Sequence, residues 1–339
     1  MTLEENLKIL TEAYGPSGEE EEVRDLIKEL AGKRADHLLE DPQGNLCLII
    51  PGDGPKIMVA AHMDEIGVIV TDHDDRGFLR IAPIGGISPR YLVGQRLRFK
   101  SGLIGTVYHE KLKNWNELDW PKIYLDLGFK SGDQARSAVR IGDLACLAQS
   151  FINHSGQRLI AKAMDNRAGC AVLLELIKRL PEQLPQKTCF LFTVQEELGL
   201  RGAKTAAYRF EPDYGLAVDV TLVGDTPEAP TMAVSLGKGP AIKVKDNSLL
   251  CHPLVRDLLI DTAAELQISY QLEVLTRGGT DAGAIHLSRA GVPSGAVSIP
   301  CRYVHTPSEM IDYGDLLAAV DLLEGALLKT WPQKEESNW

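Results

Sequence analysis

The sequence predicts an α/β protein in which a mixed central sheet, flanked by helices, is interrupted by an inserted, small, β-barrel-like unit. Three observations carry this. Helical apolar spacing opens the chain. From about residue 68 to 156 short apolar runs alternate with glycine and turn residues, with no amphipathic helix longer than about two turns. After residue 157, strand-like and helical segments alternate, the pattern of a parallel or mixed sheet covered by helices. The length of 339 residues suits two domains, or one large domain with an insertion. The expected division is an α/β domain from 1–66 plus 157–339, with the β unit at 67–156.

The first helix is read from Leu3, Leu7 and Leu10, and the second, over 19–32, from Val23, Leu26, Ile27 and Leu30. Between them, Ser17 followed by Glu20 has the spacing of a capping box. Leu46–Ile50 and Lys56–Ala61 are apolar enough for buried strands. The insertion's strands are expected at 67–70, 78–81, 97–99, 105–108, 123–127 and 145–147. Helices follow at 166–180, 201–208, 252–266, 281–289 and 314–329, and strands at 188–194, 214–219, 270–275 and 295–299. The tail Gln333–Trp339 is expected to fray.

Composition removes several function classes. The formal charge of −11 argues against a nucleic-acid protein, which presents a basic face. The N-terminus lacks the basic and unbroken apolar regions of a signal peptide, and no apolar run approaches the ~18 residues of a membrane span. No membrane partner and a cytoplasmic location are therefore expected. The six cysteines contain no C-x-x-C pair. Buried free thiols fit better than a disulfide framework or a Cys-ligated zinc site.

Five segments gather chemistry at or near predicted strand ends, where open α/β sheets bind ligands. His62 follows the strand over 56–61. Asp64, two residues on, shares its face on an extended backbone and can orient the imidazole. Asp165 precedes an apolar helix and is either its cap or a ligand. Glu196 and Glu197 end the strand over 188–194. They are either exposed in a turn or buried by a dinuclear cation, one as ligand and one as base. Asp219, in an apolar strand, is either a strand-end turn residue or a ligand. His305 follows the strand over 295–299 and is either structural or ligating. Mixed N/O donors of this kind suit Zn²⁺, Co²⁺ or Mn²⁺ better than Ca²⁺ or Mg²⁺.

The segments Ala-His-Met-Asp-Glu-Ile-Gly (61–67), Ala-Met-Asp-Asn-Arg (163–167), Gln-Glu-Glu-Leu-Gly-Leu-Arg-Gly-Ala (195–203), Gly-Gly-Thr-Asp-Ala-Gly-Ala-Ile-His (278–286) and Arg-Tyr-Val-His-Thr-Pro-Ser-Glu (302–309) resemble the M42 family of metalloaminopeptidases. The likeness runs from Pro16 to the C-terminal helix. It implies a zinc-exopeptidase type of fold and a centre of two divalent ions, Zn²⁺ or Co²⁺ with Mn²⁺ also suited. In that centre His62 and Asp219 bind one ion, Glu197 and His305 the other, and Asp165 bridges them. It implies Glu196 as general base, Asp64 as the support of His62, and a cis peptide at Asp165–Asn166. It also implies a β insertion that dimerises, homodimers assembling to a dodecamer, and peptide substrates with a free N-terminus. A related two-metal hydrolase acting on blocked amides shares the chemistry and is the alternative. Arg302 and Tyr303 lie near the expected site, where Arg302 can favour an acidic substrate side chain. Thr280 and Asp281 are further substrate-side candidates, and Asp281 can instead cap the following helix.

Overall fold

The computed structural model describes residues 1–229 and 231–333; apart from Gln333, the tail expected to fray lies outside them. Four parallel strands form the middle of the main sheet, in the spatial order Gln186–Thr193, Gly54–His62, Tyr214–Thr221 and Ser294–Arg302. A parallel sheet is covered on both faces, so its strands read as unbroken apolar runs. Ile57 to Ala61 is such a run. Alternate side chains still part to opposite faces. Ile57, Val59 and Ala61 join the core under the helices Leu3–Glu12, Met164–Arg179 and Tyr313–Leu328. Met58 and Ala60 meet Ala203, Ala206 and Ala207 of the helix Arg201–Phe210.

Antiparallel strands extend both flanks. Leu46–Ile50 and Leu38–Glu40 lie beyond Gln186–Thr193. Glu309–Asp312, Arg158–Ala161 and Ile152–His154 lie beyond Ser294–Arg302, and Ala241–Lys245 with Gln271–Val274 branches from it. Leu38–Glu40, Ile152–His154, Arg158–Ala161, Ala241–Lys245 and Glu309–Asp312 were not expected from sequence; at 3 to 5 residues each they are too short to show a period. The helix expected over 281–289 is confined to Ala282–Ile285, because the chain turns through Arg289 at φ 54° and Gly291 at φ 101°.

The capping box expected at Ser17 and Glu20 does not form. Glu20 itself precedes the helix Glu21–Leu30, with no side-chain cap. The Ser17 hydroxyl donates instead to Asp64 Oδ2 at 2.6 Å, a buried carboxylate being a stronger acceptor than a neutral cap partner. A capping box does form between Thr2 and Glu5, at the start of Leu3–Glu12.

Within the insertion, the strands Gly67–His73, Leu79–Ile84, Ile123–Asp126, Ile104–His109, Arg96–Phe99 and Leu144–Leu147 close into a barrel in that order. It has its own core, including Val68, Leu79, Leu97, Val107 and Leu125. Closure removes the open edges that short strands would otherwise expose. Ile152–His154 falls inside the stretch 67–156 but pairs with Arg158–Ala161 in the main sheet. All six cysteines are free, and only Cys47 is partly exposed. No helix among the described residues is long and apolar enough to cross a membrane.

Candidate metal centre

The four parallel strands end together, and that is what assembles the site. His62 is the last residue of its strand and pairs in register with Thr193, so Glu196 and Glu197 follow immediately beside it. Ala217 pairs with Ala60, which brings Asp219 level with His62 on the other side. His305 lies three residues beyond the end of Ser294–Arg302. Asp165 comes from the opening turn of Met164–Arg179, where its backbone is not yet helical and the Asp165–Asn166 peptide is cis. Asp165 is not the cap. Asn166 takes that part, its Oδ1 accepting the Gly169 N–H at 3.0 Å.

Asp165 stands between the two imidazoles. Its Oδ1 lies 3.0 Å from His62 Nε2 and its Oδ2 3.2 Å from His305 Nε2. His62 Nε2 is also 3.8 Å from Asp219 Oδ1 and 3.9 Å from Glu196 Oε2, while His305 Nε2 is 3.0 Å from Glu197 Oε1. Neither glutamate is exposed: their side chains are 12% and 5% accessible. Asp219 lies inside a fully buried strand, not in a strand-end turn. Two sets of donor atoms, from His62, Glu196 and Asp219 and from His62, Asp165 and Glu197, each lie within 4.8 Å of one another. Both rings face Nε2 inward because Nδ1 is engaged elsewhere. His62 Nδ1 meets the Asp64 carbonyl at 3.1 Å, and His305 Nδ1 meets the Gly86 carbonyl at 3.2 Å.

The electrostatics fit bound cations. Burial pushes Glu196 and Asp219 well above the usual carboxylate range; His62 opposes this, and neighbouring carboxylates add to it. Burial disfavours a charged His305, yet Asp165 and Glu197 lift it to about 12. Burial likewise opposes the charge on Asp165, but His305 and His62 hold it well below its ordinary value. Four carboxylates crowd around two imidazoles with too little positive charge among them. Divalent cations would relieve that crowding, and the N/O donor set suits Zn²⁺, Co²⁺ or Mn²⁺.

A second layer of groups fixes the donors. Asp64 is fully buried. Its Oδ1 accepts the Glu196 N–H at 2.9 Å, and its Oδ2 accepts the Glu197 N–H at 3.2 Å as well as the Ser17 hydroxyl. Glu309, the last residue of the 302–309 motif, accepts the Asp165 N–H at 2.9 Å through Oε2 and the His305 N–H at 2.7 Å through Oε1. One carboxylate thereby ties together two arms of the centre. The barrel contributes as well. At Gly85 (φ 73°) an added Cβ would lie 3.1 Å from Glu197 Oε2, and at Gly86 one would lie 2.7 Å from His305 Nδ1. Sequence reading missed the roles of Ser17, Gly85, Gly86 and Glu309. The available signals were a Gly-Gly pair at a strand end and an acid beginning a short apolar strand.

The family profile for M42 glutamyl aminopeptidases matches residues 44–322. This chain belongs to the M42 peptidase family. The M42 peptidases are metal-dependent aminopeptidases, and this chain is one of them. A relative from Acetivibrio thermocellus is 51% identical over 322 residues, covering 95% of this chain and 97% of its own. Aminopeptidase APDkam598 from the archaeon Desulfurococcus kamchatkensis superposes with a TM-score of 0.92 at 37% identity, covering 96% and 94% of the two chains. The TET1 peptidase of Pyrococcus horikoshii, described as able to assemble into a tetrahedron or a large octahedral shell, superposes with a TM-score of 0.87 at 33% identity, over 97% and 100%.

In this M42 peptidase the substrate-side candidates separate. Arg302 and Tyr303 line a cavity of about 210 Å³ with Val223, Met232 and Arg277, where Tyr214–Thr221 and Ser294–Arg302 end. Arg302 is not a free cation there. Its Nε and Nη2 donate to the two oxygens of Asp225 at 2.9 Å each, so an acidic substrate side chain would have to displace that pair. Thr280 and Asp281 are buried. Asp281 does not cap the next helix through its side chain; its Oδ2 accepts the Thr193 hydroxyl at 2.6 Å. Burial pushes Asp281 up to about 6, with His62 opposing.

Proposed function

We propose that this chain removes N-terminal residues from peptides by hydrolysis at a centre of two divalent metal ions, Zn²⁺ or Co²⁺ with Mn²⁺ also suited. The observation that carries this reading is the pair of Asp165 oxygens, which face two different imidazoles, His62 at 3.0 Å and His305 at 3.2 Å. With that disposition, His62, Asp165 and Asp219 would hold one ion, and Asp165, Glu197 and His305 would hold the other. Such ions supply Lewis acidity at the scissile carbonyl and lower the pKa of water toward neutrality. Glu196 takes the proton of the attacking water at its carboxylate and returns it to the departing amine nitrogen. Asp64 holds the Glu196 backbone N–H at 2.9 Å, which fixes where that carboxylate begins. The substrate's free α-amino group pairs with the acidic cluster, which confines cleavage to the first residue. Arg302 and Tyr303 face the first side chain, with Thr280 and Asp281 behind.

We further propose that the barrel dimerises this chain, that dimers build a dodecamer, and that the protein works in the cytoplasm. Ile104, Tyr108 and Trp115 of the insertion are each about half exposed, which supports an interface there. The test of function is a panel of aminoacyl p-nitroanilides and their N-acetylated counterparts, given to chelator-stripped protein reloaded with Co²⁺ or Zn²⁺. Cleavage of free-amine substrates alone is expected, and cleavage of blocked ones would overturn the reading. Glu196→Gln is expected to retain metal and lose about 10²–10⁴-fold in turnover. Wild-type turnover in that variant would remove Glu196 as the base.

A further inference from the structure

We propose that Cys47 and Cys189 are a redox-modification site: a vicinal pair of thiols that a small-molecule disulfide converts reversibly to a protein disulfide. The two residues lie on the adjacent antiparallel strands Leu46–Ile50 and Gln186–Thr193, where Cys47 pairs with Leu191 and Cys189 with Ile49. They are diagonal neighbours on one face of the sheet. Their sulfurs are in contact at 2.7 Å, about 0.7 Å longer than a disulfide bond. The other four cysteines are buried, and no other sulfur–sulfur contact occurs among the described residues.

Access and reactivity are divided between the partners. Both residues line a surface cavity of about 330 Å³, together with Met58, Leu191, Arg209 and Phe210. Cys47 is partly exposed and Cys189 is buried. The hydrogen-bonding contact with the Cys189 sulfur holds the Cys47 thiol below its usual range; burial and Asp41 oppose this, and Arg209 adds to it. Burial drives Cys189 the other way. Cys47 is therefore the attacking sulfur and Cys189 the resolving one. The Cys47 thiolate attacks one sulfur of oxidised glutathione, forming a mixed disulfide and releasing one glutathione thiolate. The Cys189 sulfur, giving its proton to solvent, then attacks Cys47 and releases the second glutathione. Two protein thiols lose two electrons, and one small disulfide gains them. Cys189 lies four residues, about 13 Å along the strand, before Thr193, the residue that pairs with His62, so the site is separate from the metal centre.

The test uses the metal-loaded protein, reduced, freed of reductant and incubated anaerobically with oxidised glutathione. Denaturation with alkylation, intact mass and peptide mapping then report the product. The expected product has lost two hydrogens, leaves four of the six thiols alkylatable, carries a single Cys47–Cys189 cross-link and reverts with dithiothreitol. Cys189→Ser is expected to stop at one glutathione on Cys47, and Cys47→Ser to remain unmodified. Wild-type protein that keeps six alkylatable thiols, links a different pair, or holds a stable glutathione on Cys47 overturns the proposal.

Discussion

Asp64→Asn should weaken the centre without removing a single proposed ligand. The wild-type carboxylate meets four groups at once: the Glu196 N–H at 2.9 Å, the Glu197 N–H at 3.2 Å, the Ser17 hydroxyl at 2.6 Å and, at 3.4 Å, His62 Nδ1. An amide has one oxygen. If its NH₂ replaces Oδ1, it opposes the Glu196 N–H and loses the acceptor beside His62. If it replaces Oδ2, Ser17 can turn and accept, but the Glu197 N–H is stranded. The second orientation costs less and leaves one buried N–H without a partner, about 1–3 kcal/mol. Spread over metal binding and turnover, that is about a 5- to 150-fold loss, in the range found for groups that orient ligands. The assay is a metal titration of stripped protein, followed by kcat/KM on the fastest p-nitroanilide at saturating metal. Ser17→Ala, which removes only one of these donors, should lie between wild type and Asp64→Asn. Wild-type metal affinity and wild-type kcat/KM in Asp64→Asn would refute the view that this carboxylate sets the positions of Glu196 and Glu197.

Other perturbations test the remaining supports. In Gly86→Ala the new Cβ would sit 2.7 Å from His305 Nδ1, so the ring must retreat by about 0.7 Å to reach ordinary contact at 3.4 Å. About 10–100-fold lower activity is expected, measured beside the thermal midpoint to separate it from unfolding, and unchanged activity would show that the barrel does not seat His305. Glu309→Gln supplies one acceptor where two N–H groups need one each, and a cobalt titration of the stripped variant should read about 10–100-fold weaker binding; wild-type binding would dismiss the clamp. The metal-free protein should lose stability as pH rises from 6.5 to about 8. Protonated His305, raised from 6.5 to about 12 against the effect of burial by Asp165 and Glu197, contributes stability fully below 6.5 and progressively less above it. Glu309, pushed by burial from 4.5 up to about 8, keeps its proton when folded but loses it when unfolded, so it acts in the same direction up to about pH 8. Urea midpoints across that window should fall without metal and flatten with it, and a rising metal-free midpoint would contradict this assignment of charges.

What could be read from the sequence divides along a physical line. His62, Glu196, Glu197, Asp219 and His305 stood out because a buried parallel strand writes an unbroken apolar run, and a polar residue within or just after that run is conspicuous, although the sequence also allowed the glutamates, Asp219 and His305 a structural reading. Asp165 was ambiguous, since an acid before a helix caps it far more often than it faces two imidazoles. Only the pairing of strands, which brings Ala217 beside Ala60 and Thr193 beside His62, decides that these residues share one space. The supports were less legible because they work through the backbone. Glu309 receives two N–H groups, and Gly85 and Gly86 matter for the side chains they lack. Ser17 was misread for a related reason: its local partner, a helix end, was visible in sequence, whereas its actual partner Asp64 is 47 residues away. The same limit explains Cys47 and Cys189, read singly as buried thiols and brought into contact by a strand pairing across 142 residues. Donor types and their order can be read along the chain. The groups that hold those donors depend on contacts across the fold, and their substitution is what separates a site that merely contains ligands from one that holds them in place.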